Sequence, residues 1–228
     1  MTVAMNRTFI TATGTDVGKT MVTCALTHQL VQQGRHVRTI KPIISGYTKH
    51  TMDTIDTAEI IRALGHKMTP ETIAQVSPWR FSHALAPDMA ALREGREIDY
   101  DDLLDFCHAT DHGENHFDEL LIEGVGGAFV PLDHEHLVVD WIKDLDIGII
   151  VVAGSYLGTL SHTVATCEAL RGRGVDIKGI VISESEESPV PMDELVETMQ
   201  RLIPDTQIGI IPRVEHWSEA PNVTGILS

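Results

Sequence analysis

Residues 11–20 read TATGTDVGKT, and they separate an apolar strand-like run from a segment whose apolar residues recur at helical spacing. At such a turn the first N–H groups of the helix are unpaired and the helix dipole favours an anion, so phosphate is the expected ligand. Gly18 allows close approach of the backbone, Lys19 can reach terminal phosphates, and the Thr20 hydroxyl can ligate Mg²⁺. The stretch therefore predicts a nucleotide-binding phosphate loop.

This loop departs from the common phosphate-loop pattern, which has a first glycine at a fixed distance before Gly-Lys-Thr. Counting back from Gly18, that position holds Thr13 and the one before it holds Ala12, while the nearest glycine is Gly14. We interpret the loop as a variant. The alternative is an ordinary strand-to-helix turn that happens to read GKT.

The composition indicates one acidic domain spanning residues 1–228, with 43% hydrophobic residues to build a core. Its 17 Lys and Arg against 33 Asp and Glu give a net charge of -16, which argues against a nucleic-acid surface or an anionic membrane face as partner. No run reaches membrane-spanning length and no cleavage signature is visible, so the expected location is the cytoplasm. The 3 cysteines lie far apart without a CxxC pair, which predicts neither a disulfide framework nor a zinc site.

Strand-like and helical segments alternate along the chain. The apolar run 147–153 lacks polar alternation and is typical of a parallel strand buried on both faces. We expect a second strand over 36–43, an irregular segment over 67–87, which holds three prolines, and an acidic surface loop over 183–191. The alternation predicts an α/β, P-loop NTPase-like fold, with a mostly parallel sheet and helices on both faces.

Several predicted strands end on residues that suit a nucleotide site, and the carboxyl ends of parallel strands meet at one edge of a sheet. Lys41 is long enough to reach a phosphate held by the first loop; the alternative is a solvated surface lysine. Glu123 precedes a second glycine-rich turn. Its carboxylate either caps that turn or acts as a metal ligand. Mg²⁺ takes few carboxylates together with phosphate and water, so Thr20, Glu123 and an aspartate within residues 53–56 would supply its shell. That aspartate can equally be a helix cap.

Four motifs, ATGTDVGKT, KPIISG, EGVGG-FVPL and LGTLSHT, occur in the order found in the dethiobiotin synthetase family. Each motif alone is weak, but four in register are specific, and the resemblance covers nearly the whole chain. It implies a homodimer of P-loop fold with the substrate site at the subunit interface. It also implies Mg²⁺ and ATP, with carbon dioxide and 7,8-diaminononanoate as the substrates that form a ureido ring.

By position within these motifs, the resemblance implies roles for single residues. The residues at the reacting groups would be Lys41, Lys19 and Thr15. The magnesium ligands would be Thr20, Asp56 and Glu123. Asp56 is preferred to Asp53 because the aspartate of this family starts a helix, as Asp56 does here.

The same positions imply the binding residues. The substrate carboxylate would meet a helix start of the partner subunit, whose N–H groups suit an anion. The substrate-binding residues would be Thr15, Lys41, Ser45, Leu157, Gly158, Thr159, Leu160 and Ser161. The nucleotide-binding residues would be Asp16, Val17, Gly18, Lys19, Thr20, Met21, Asp56, Glu123, Gly124, Val125, Gly126, Ser183, Glu184, Pro212, Arg213 and Val214.

Three positions depart from the family's pattern. Ala12 stands where glycine is common, which is tolerable if that position keeps a negative φ. Ser161 replaces an asparagine at the partner helix, so substrate binding there would depend more on backbone N–H groups. Ser183 replaces an asparagine that reads the adenine edge, and one hydroxyl cannot make the same two-point contact. The base preference is therefore left open.

The reaction that the resemblance implies begins with a carbamate formed from one substrate amine and carbon dioxide. A carbamate oxygen attacks the γ-phosphate of ATP, and the second amine closes the ring on the resulting carbamic-phosphoric anhydride. No Ser-His-Asp or Cys-His constellation stands out, so no protein-bound covalent intermediate is expected.

A P-loop switch ATPase of the partitioning type is the alternative function. Such proteins carry a further lysine near the start of the phosphate loop, and residues 11–17 contain none. His108, His112 and His116 recur every fourth residue, and His134 and His136 follow. On an unbroken helix the first three could bind a transition metal, but we expect solvated loop histidines because Gly113 indicates that the helix has ended.

Overall fold

A parallel sheet forms the centre of the structure, a computed structural model that describes residues 5–48, 50–109 and 117–227. Within these ranges the strands are β1 (Asn6–Ala12), β2 (Val37–Ile40), β3 (Ile43–Ser45), β4 (Trp79–Phe81), β5 (Glu119–Glu123), β6 (Gly148–Ala153), β7 (Ile177–Ser183) and β8 (Gln207–Ile211). The main sheet has six strands in the order β2-β5-β1-β6-β7-β8, and each neighbouring pair is parallel. The short strands β3 and β4 form a separate parallel pair.

Helices cover both faces of this sheet. They are α1 (Lys19–Gln32), α2 (Asp56–Ala63), α3 (Pro70–Val76), α4 (Pro87–Arg93), α5 (Tyr100–Ala109), α6 (Val138–Leu145), α7 (Thr159–Gly172) and α8 (Met192–Leu202). The first three pack on one face, together with the 3-10 segments Trp217–Glu219 and Thr224–Leu227, and α4 to α8 pack on the other. No helix of the described ranges is long and apolar enough to cross a membrane.

Strand β6 shows why the central strands are apolar without alternation. Ile149 and Val151 face the core under α6 and α7, whereas Ile150 and Val152 face the core under α1, and all four are fully buried. Both faces of a central parallel strand are covered, so both sets of side chains are apolar. The arrangement confirms the predicted α/β fold with helices on both faces.

Two expectations about the segment after β1 and α1 are wrong. The strand expected over 36–43 ends at Ile40, because Pro42 has no N–H for the ladder and the Lys41 N–H donates to the Val76 carbonyl at 3.0 Å instead. Residues 67–87 are not irregular, since they contain α3, β4 and the start of α4. Proline at the first position of α3 is compatible with a helix, because that N–H has no partner within a helix.

Within the described residues, the starts of α1, α2 and α7 lack a side-chain cap and lie beside the predicted site residues. Helix α2 has Ile55 as its N-cap residue and Asp56 as its first residue, so Asp56 does not cap it. Helices α1 and α7 each follow a left-handed glycine, Gly18 at φ 93° and Gly158 at φ 100°. These helix starts point toward the carboxyl edge of the sheet, where the predicted site residues lie.

Candidate active site

The two glycine-rich turns that follow β1 and β5 pack against each other. The Ala128 N–H donates to the Ala12 carbonyl at 3.1 Å. A Cβ added to Gly127 would lie 3.3 Å from that carbonyl oxygen and from the backbone of Gly14, so only glycine fits there without displacing the loop. The second turn therefore packs directly against the backbone at the start of the phosphate loop.

The backbone of the phosphate loop explains its unusual sequence. Ala12 is the last residue of β1 and has no positive φ, so a glycine is not required at that position. Asp16 adopts φ 57° and Gly18 adopts φ 93°, and these left-handed residues turn the chain into α1. A Cβ on Gly18 would lie only 2.3 Å from Oγ of Ser183 at the end of β7. Glycine is thus required at position 18 both for its φ and for the close contact.

Lys41 joins two of the predicted metal ligands. Its Nζ donates to Oε1 of Glu123 at 2.7 Å and also to Oδ2 of Asp56. Thr20 Oγ1 donates to the same Glu123 oxygen at 2.8 Å. Residues from α1, from the ends of β2 and β5 and from the start of α2 therefore form one cluster. The Lys41 side chain is only 6% exposed, so it is not a solvated surface lysine.

The cluster is electrostatically coupled. Burial acts to lower the pKa of Lys41, but the carboxylates of Glu123 and Asp56 outweigh it and raise that pKa above its ordinary value. Burial acts to raise the pKa of Asp56, and the charge and hydrogen bond of Lys41 reverse the effect and lower it. The lysine is therefore a cation and Asp56 an anion at neutral pH.

Lys19 lies beside this cluster but bonds no carboxylate of the described residues, and its pKa is shifted in the opposite direction to that of Lys41. Its side chain folds back so that Nζ donates to the carbonyl of Gly14 at 3.4 Å, within its own loop. Burial lowers its pKa, and Glu123 only partly opposes this effect. An anion bound in the loop would stabilise the charged form of Lys19, as expected of a phosphate-binding lysine.

A cavity of about 700 Å³ opens beside the cluster, a volume in the range of small-ligand sites. Ser45 faces it, with its hydroxyl donating to the Leu85 carbonyl at 2.8 Å. The predicted site residues that line the cavity are Thr15, Asp16, Gly18, Lys19, Thr20, Met21, Lys41, Ser45, Asp56, Val125 and Gly126. Residues 84–87 and Val130 also line it and were missed by sequence reasoning, although proline at the start of α4 could have located that wall.

The residues of the cluster fit Mg²⁺. A hydroxyl and two carboxylates are hard oxygen ligands, and Mg²⁺ is commonly bound by one or two carboxylates plus phosphate and water. Oε2 of Glu123 is buried and has no hydrogen-bond partner in the described part of the chain, which leaves one anionic oxygen for a cation. Thr20, Asp56 and Glu123 would hold the ion.

The histidines give no comparable site. His136 pairs with Asp133 at 2.9 Å and stacks on Tyr100. Among the described residues, no group of three His, Cys, Asp or Glu side chains could hold a metal. His112 and His116 lie outside the described residues.

The predicted base-binding residues lie together at the ends of β7 and β8. The Glu184 N–H donates to the Ile211 carbonyl at 2.9 Å, and Oε2 of Glu184 accepts from the Arg213 N–H at 2.8 Å. Pro212 lies between these contacts, and Val214 packs against the core under α1. These residues do not line the 700 Å³ cavity, and Ser183 connects them to it through its contact with Gly18.

The predicted partner-facing segment, residues 157–161, lies away from the cavity of its own subunit. Leu157 is 85% exposed, whereas Thr159 is buried and donates from its hydroxyl to the Gly154 carbonyl at 2.6 Å. A second cavity of about 600 Å³ adjoins this segment and is lined in part by Tyr156 and His162. The predicted site residues Thr15, Asp16 and Val17 form another part of its lining.

Comparison with known proteins gives the family. The AAA domain family model matches residues 6–220. The ATP-dependent dethiobiotin synthetase of Acidiphilium cryptum is 44% identical over 86% of this chain and 88% of its own length. That of Caulobacter vibrioides is 38% identical over 93% of this chain and 95% of its own length.

Solved structures show the fold alone, because their sequence identity is low. The ParA family ATPase of Chlorobium tepidum superposes with a TM-score of 0.53 at 15% identity, covering 93% of this chain and 85% of that one. The MinC:MinD cell division complex of Aquifex aeolicus gives 0.56 at 13% identity, covering 97% and 85%. The fold is therefore that of the P-loop NTPases, and the sequence relationship is narrower: the chain belongs to the dethiobiotin synthetase family.

Proposed function

We propose that this single domain, residues 1–228, catalyses the ATP- and Mg²⁺-dependent closure of the ureido ring of dethiobiotin from 7,8-diaminononanoate and carbon dioxide. The observation that carries the proposal is the cluster in which the buried Lys41 joins Asp56 and the buried Glu123 beside Thr20 of the phosphate loop. Lys19, Lys41, Thr20 and Asp56 line one cavity, and Glu123 lies behind that wall, hydrogen-bonded to Thr20 and Lys41. Together they would supply oxygen ligands for one metal ion and cations for a triphosphate. The proposed cellular location is the cytoplasm.

The proposed reaction has three steps. One amine of the substrate attacks carbon dioxide and loses a proton, which gives a carbamate. A carbamate oxygen attacks the γ-phosphorus of ATP, ADP leaves from that phosphorus, and a carbamic-phosphoric anhydride is formed. The second amine then attacks the carbonyl carbon, phosphate leaves, and the ring closes with loss of a proton.

The protein's part in this scheme is to align the reactants and neutralise charge, which is what phosphoryl transfer requires. Lys19 and Lys41 bring two cations to the cavity wall, and Thr15 and Ser45 bring hydroxyls. Bound Mg²⁺ would neutralise charge on the phosphate oxygens. Ser45 and Lys41 face the cavity from neighbouring segments, which suits the contact with the diamine end of the substrate.

The proposal includes a homodimer whose substrate site is completed by the partner. Residues 157–161 carry a helix start and a leucine that is 85% exposed, and they do not reach the cavity of their own subunit. Helix N–H groups suit a carboxylate. In the dimer, the start of α7 would therefore meet the carboxylate of the substrate held by the other subunit.

The test is phosphate release from Mg-ATP by the purified protein, with and without the diamine and bicarbonate. The proposal expects release only when both co-substrates are present. Lys41→Ala should lower turnover by at least about three orders of magnitude, since a buried charge that neutralises the transition state is lost. Lys143→Ala, an exposed lysine of α6, is the matched control and should leave turnover unchanged.

The metal assignment is tested by the magnesium dependence of the same reaction. Glu123→Gln should require much more Mg²⁺ for half-maximal rate, because a neutral amide is a poorer ligand than a carboxylate. Glu135→Gln, at an exposed position, is its control. An unchanged magnesium titration for Glu123→Gln would remove Glu123 from the ligand set.

A switch ATPase is the second candidate, favoured by the fold shared with ParA and MinD proteins. It lacks support from the phosphate loop, where residues 11–17 contain no additional lysine. Phosphate released at the same rate without the diamine would favour this candidate over the ligase.

A further inference from the structure

We propose that Lys41 is the protein's own stand-in for Mg²⁺: its ammonium occupies the cation position between Asp56 and Glu123 until metal and nucleotide bind, and is then released toward the cavity. The inference rests on the proposed assignment of Asp56, Glu123 and Thr20 as metal ligands. It goes beyond that assignment because it couples metal binding to the release of Lys41 from the two carboxylates.

The geometry places the ammonium where a bridging cation would sit. Lys41 Nζ contacts one oxygen of each carboxylate, at 2.7 Å for Glu123 Oε1 and also at Asp56 Oδ2. Thr20 Oγ1 donates to Glu123 Oε1 as well, so that oxygen receives two donors while Oε2 receives none within the described ranges. The ammonium therefore fills the position of a metal but satisfies the carboxylates incompletely.

The balance of charge explains why the lysine is held there. Glu123 is 1% exposed, and a buried carboxylate without a cation is strongly unfavourable. Two carboxylates with one ammonium carry a net charge of −1, whereas without the lysine they would carry −2. Mg²⁺ held by Asp56 and Glu123 would neutralise both carboxylates and would repel an ammonium at contact distance.

When metal binds, only the side chain of Lys41 can move, because hydrogen bonds hold its backbone in place. Its N–H donates to the Val76 carbonyl at 3.0 Å, and its carbonyl accepts from the Ser77 hydroxyl at 2.6 Å. The Ser77 hydroxyl also bonds Thr57 Oγ1 at 2.8 Å, which ties this backbone to α2. With the backbone held on both sides, release of the ammonium is a change of side-chain rotamers toward the adjoining cavity.

The consequence is competition between the lysine and free metal. Without nucleotide, Mg²⁺ must displace an ammonium that is already hydrogen-bonded to both carboxylates, so binding is weak. Nucleotide changes this, because its phosphates offer the ammonium a new partner and the metal further oxygen ligands. Lys41 thereby reaches the phosphates only after the metal has taken its place.

The probe for this competition is Mn²⁺ alone, bound to the full chain without nucleotide and measured by electron paramagnetic resonance of the free ion. Lys41→Met should bind Mn²⁺ at least about tenfold more tightly than the wild type, since the competing charge is removed. Lys143→Met is the control: it removes an exposed lysine of α6, so the affinity for Mn²⁺ should change by less than about threefold. Lys41→Arg keeps the charge and should bind as weakly as the wild type.

A Lys41→Met affinity equal to that of the wild type would overturn the inference. Lys41→Gln is the second charge-removing variant if Lys41→Met does not fold, and the same result is expected of it. Failure of the underlying ligand assignment is recognised separately, by Mn²⁺ binding in the presence of ATP. If Glu123→Gln binds Mn-ATP as tightly as the wild type, the ligand assignment is wrong. If it loses that binding while Lys41→Met gains nothing, only the stand-in role is wrong.

Discussion

Ser155 and Ser185 exchange hydrogen bonds: the backbone N–H of each donates to the hydroxyl oxygen of the other at 2.9 Å. The pair connects the loop after β6, which leads into α7, with the acidic loop after β7. A Cβ on Gly154 would lie 2.8 Å from Oγ of Ser185, so glycine leaves room for this exchange. The loop of residues 183–191, expected at the surface from its composition, is thus fastened to the segment that precedes the predicted partner-facing helix start.

Removing either hydroxyl should loosen this connection. We expect Ser185→Ala to lower the free energy of unfolding by about 1 kcal/mol, because the partly buried N–H of Ser155 loses its acceptor. Ser155→Ala should cost a similar amount, since the two bonds are reciprocal. Urea unfolding measures both. A change below about 0.3 kcal/mol in both variants would show that the exchange does not hold the loops together.

Gly18→Ala should damage the phosphate loop. The backbone at φ 93° is unfavourable for alanine by about 1–2 kcal/mol, and the new methyl would overlap Ser183. We expect a loss of at least about 2 kcal/mol in unfolding free energy, together with loss of nucleotide binding measured by calorimetry.

The matched control for that change is Gly14→Ala in the same loop. A Cβ at Gly14 meets nothing within 4 Å, so stability should change by less than about 0.5 kcal/mol. Adding Ser183→Gly to Gly18→Ala should recover only the part of the loss due to overlap. If Gly14→Ala and Gly18→Ala were equally harmful, the contact with Ser183 would not be the reason for glycine at position 18.

The choice of nucleotide base should respond to Ser183. Its hydroxyl would contact the base through one atom, whereas an asparagine side chain offers a separate acceptor and donor at the same time. We expect the wild type to discriminate weakly between ATP and CTP. Ser183→Asn should raise the ratio of kcat/KM for ATP over CTP by roughly fivefold, equivalent to about 1 kcal/mol. An unchanged ratio would exclude position 183 from base recognition.

The histidine beside Asp133 should titrate above its ordinary range. The hydrogen bond to Asp133 raises the pKa of His136, and burial opposes this only weakly. A raised folded-state pKa means that the imidazolium stabilises the fold fully below the unfolded-state pKa, near 6.5, and that this contribution is lost as pH rises through the folded-state value.

The measurement is the NMR titration of the His136 ring in the wild type and in Asp133→Asn. The variant should show a lower pKa and should lack the small loss of stability on raising the pH through this window. Equal titration curves would mean that the Asp133 contact at 2.9 Å has no electrostatic effect in solution.

Local patterns in the sequence were enough for the fold and for the phosphate loop. The order strand, Gly-Lys-Thr, helix is a property of residues next to each other in the chain, and so is the apolar run of β6. The boundaries were harder, because Pro42 divides one apolar stretch into two strands of different sheets. The three prolines of 67–87 indicated an irregular segment, whereas Thr69 and Thr72 form a capping box that starts α3.

By itself, then, the sequence determined the class of fold, the phosphate loop and the set of chemical groups at the strand ends, because periodicity, glycines and strand-end residues are encoded over a few neighbours. Only the tertiary structure decided which of these groups touch. Lys41 meets Asp56, 15 residues away, and Glu123, 82 residues away, and Gly18 meets Ser183. Such contacts follow from the order of strands in the sheet, in which β5 lies between β2 and β1, and that order depends on how all the helices bury their apolar faces together.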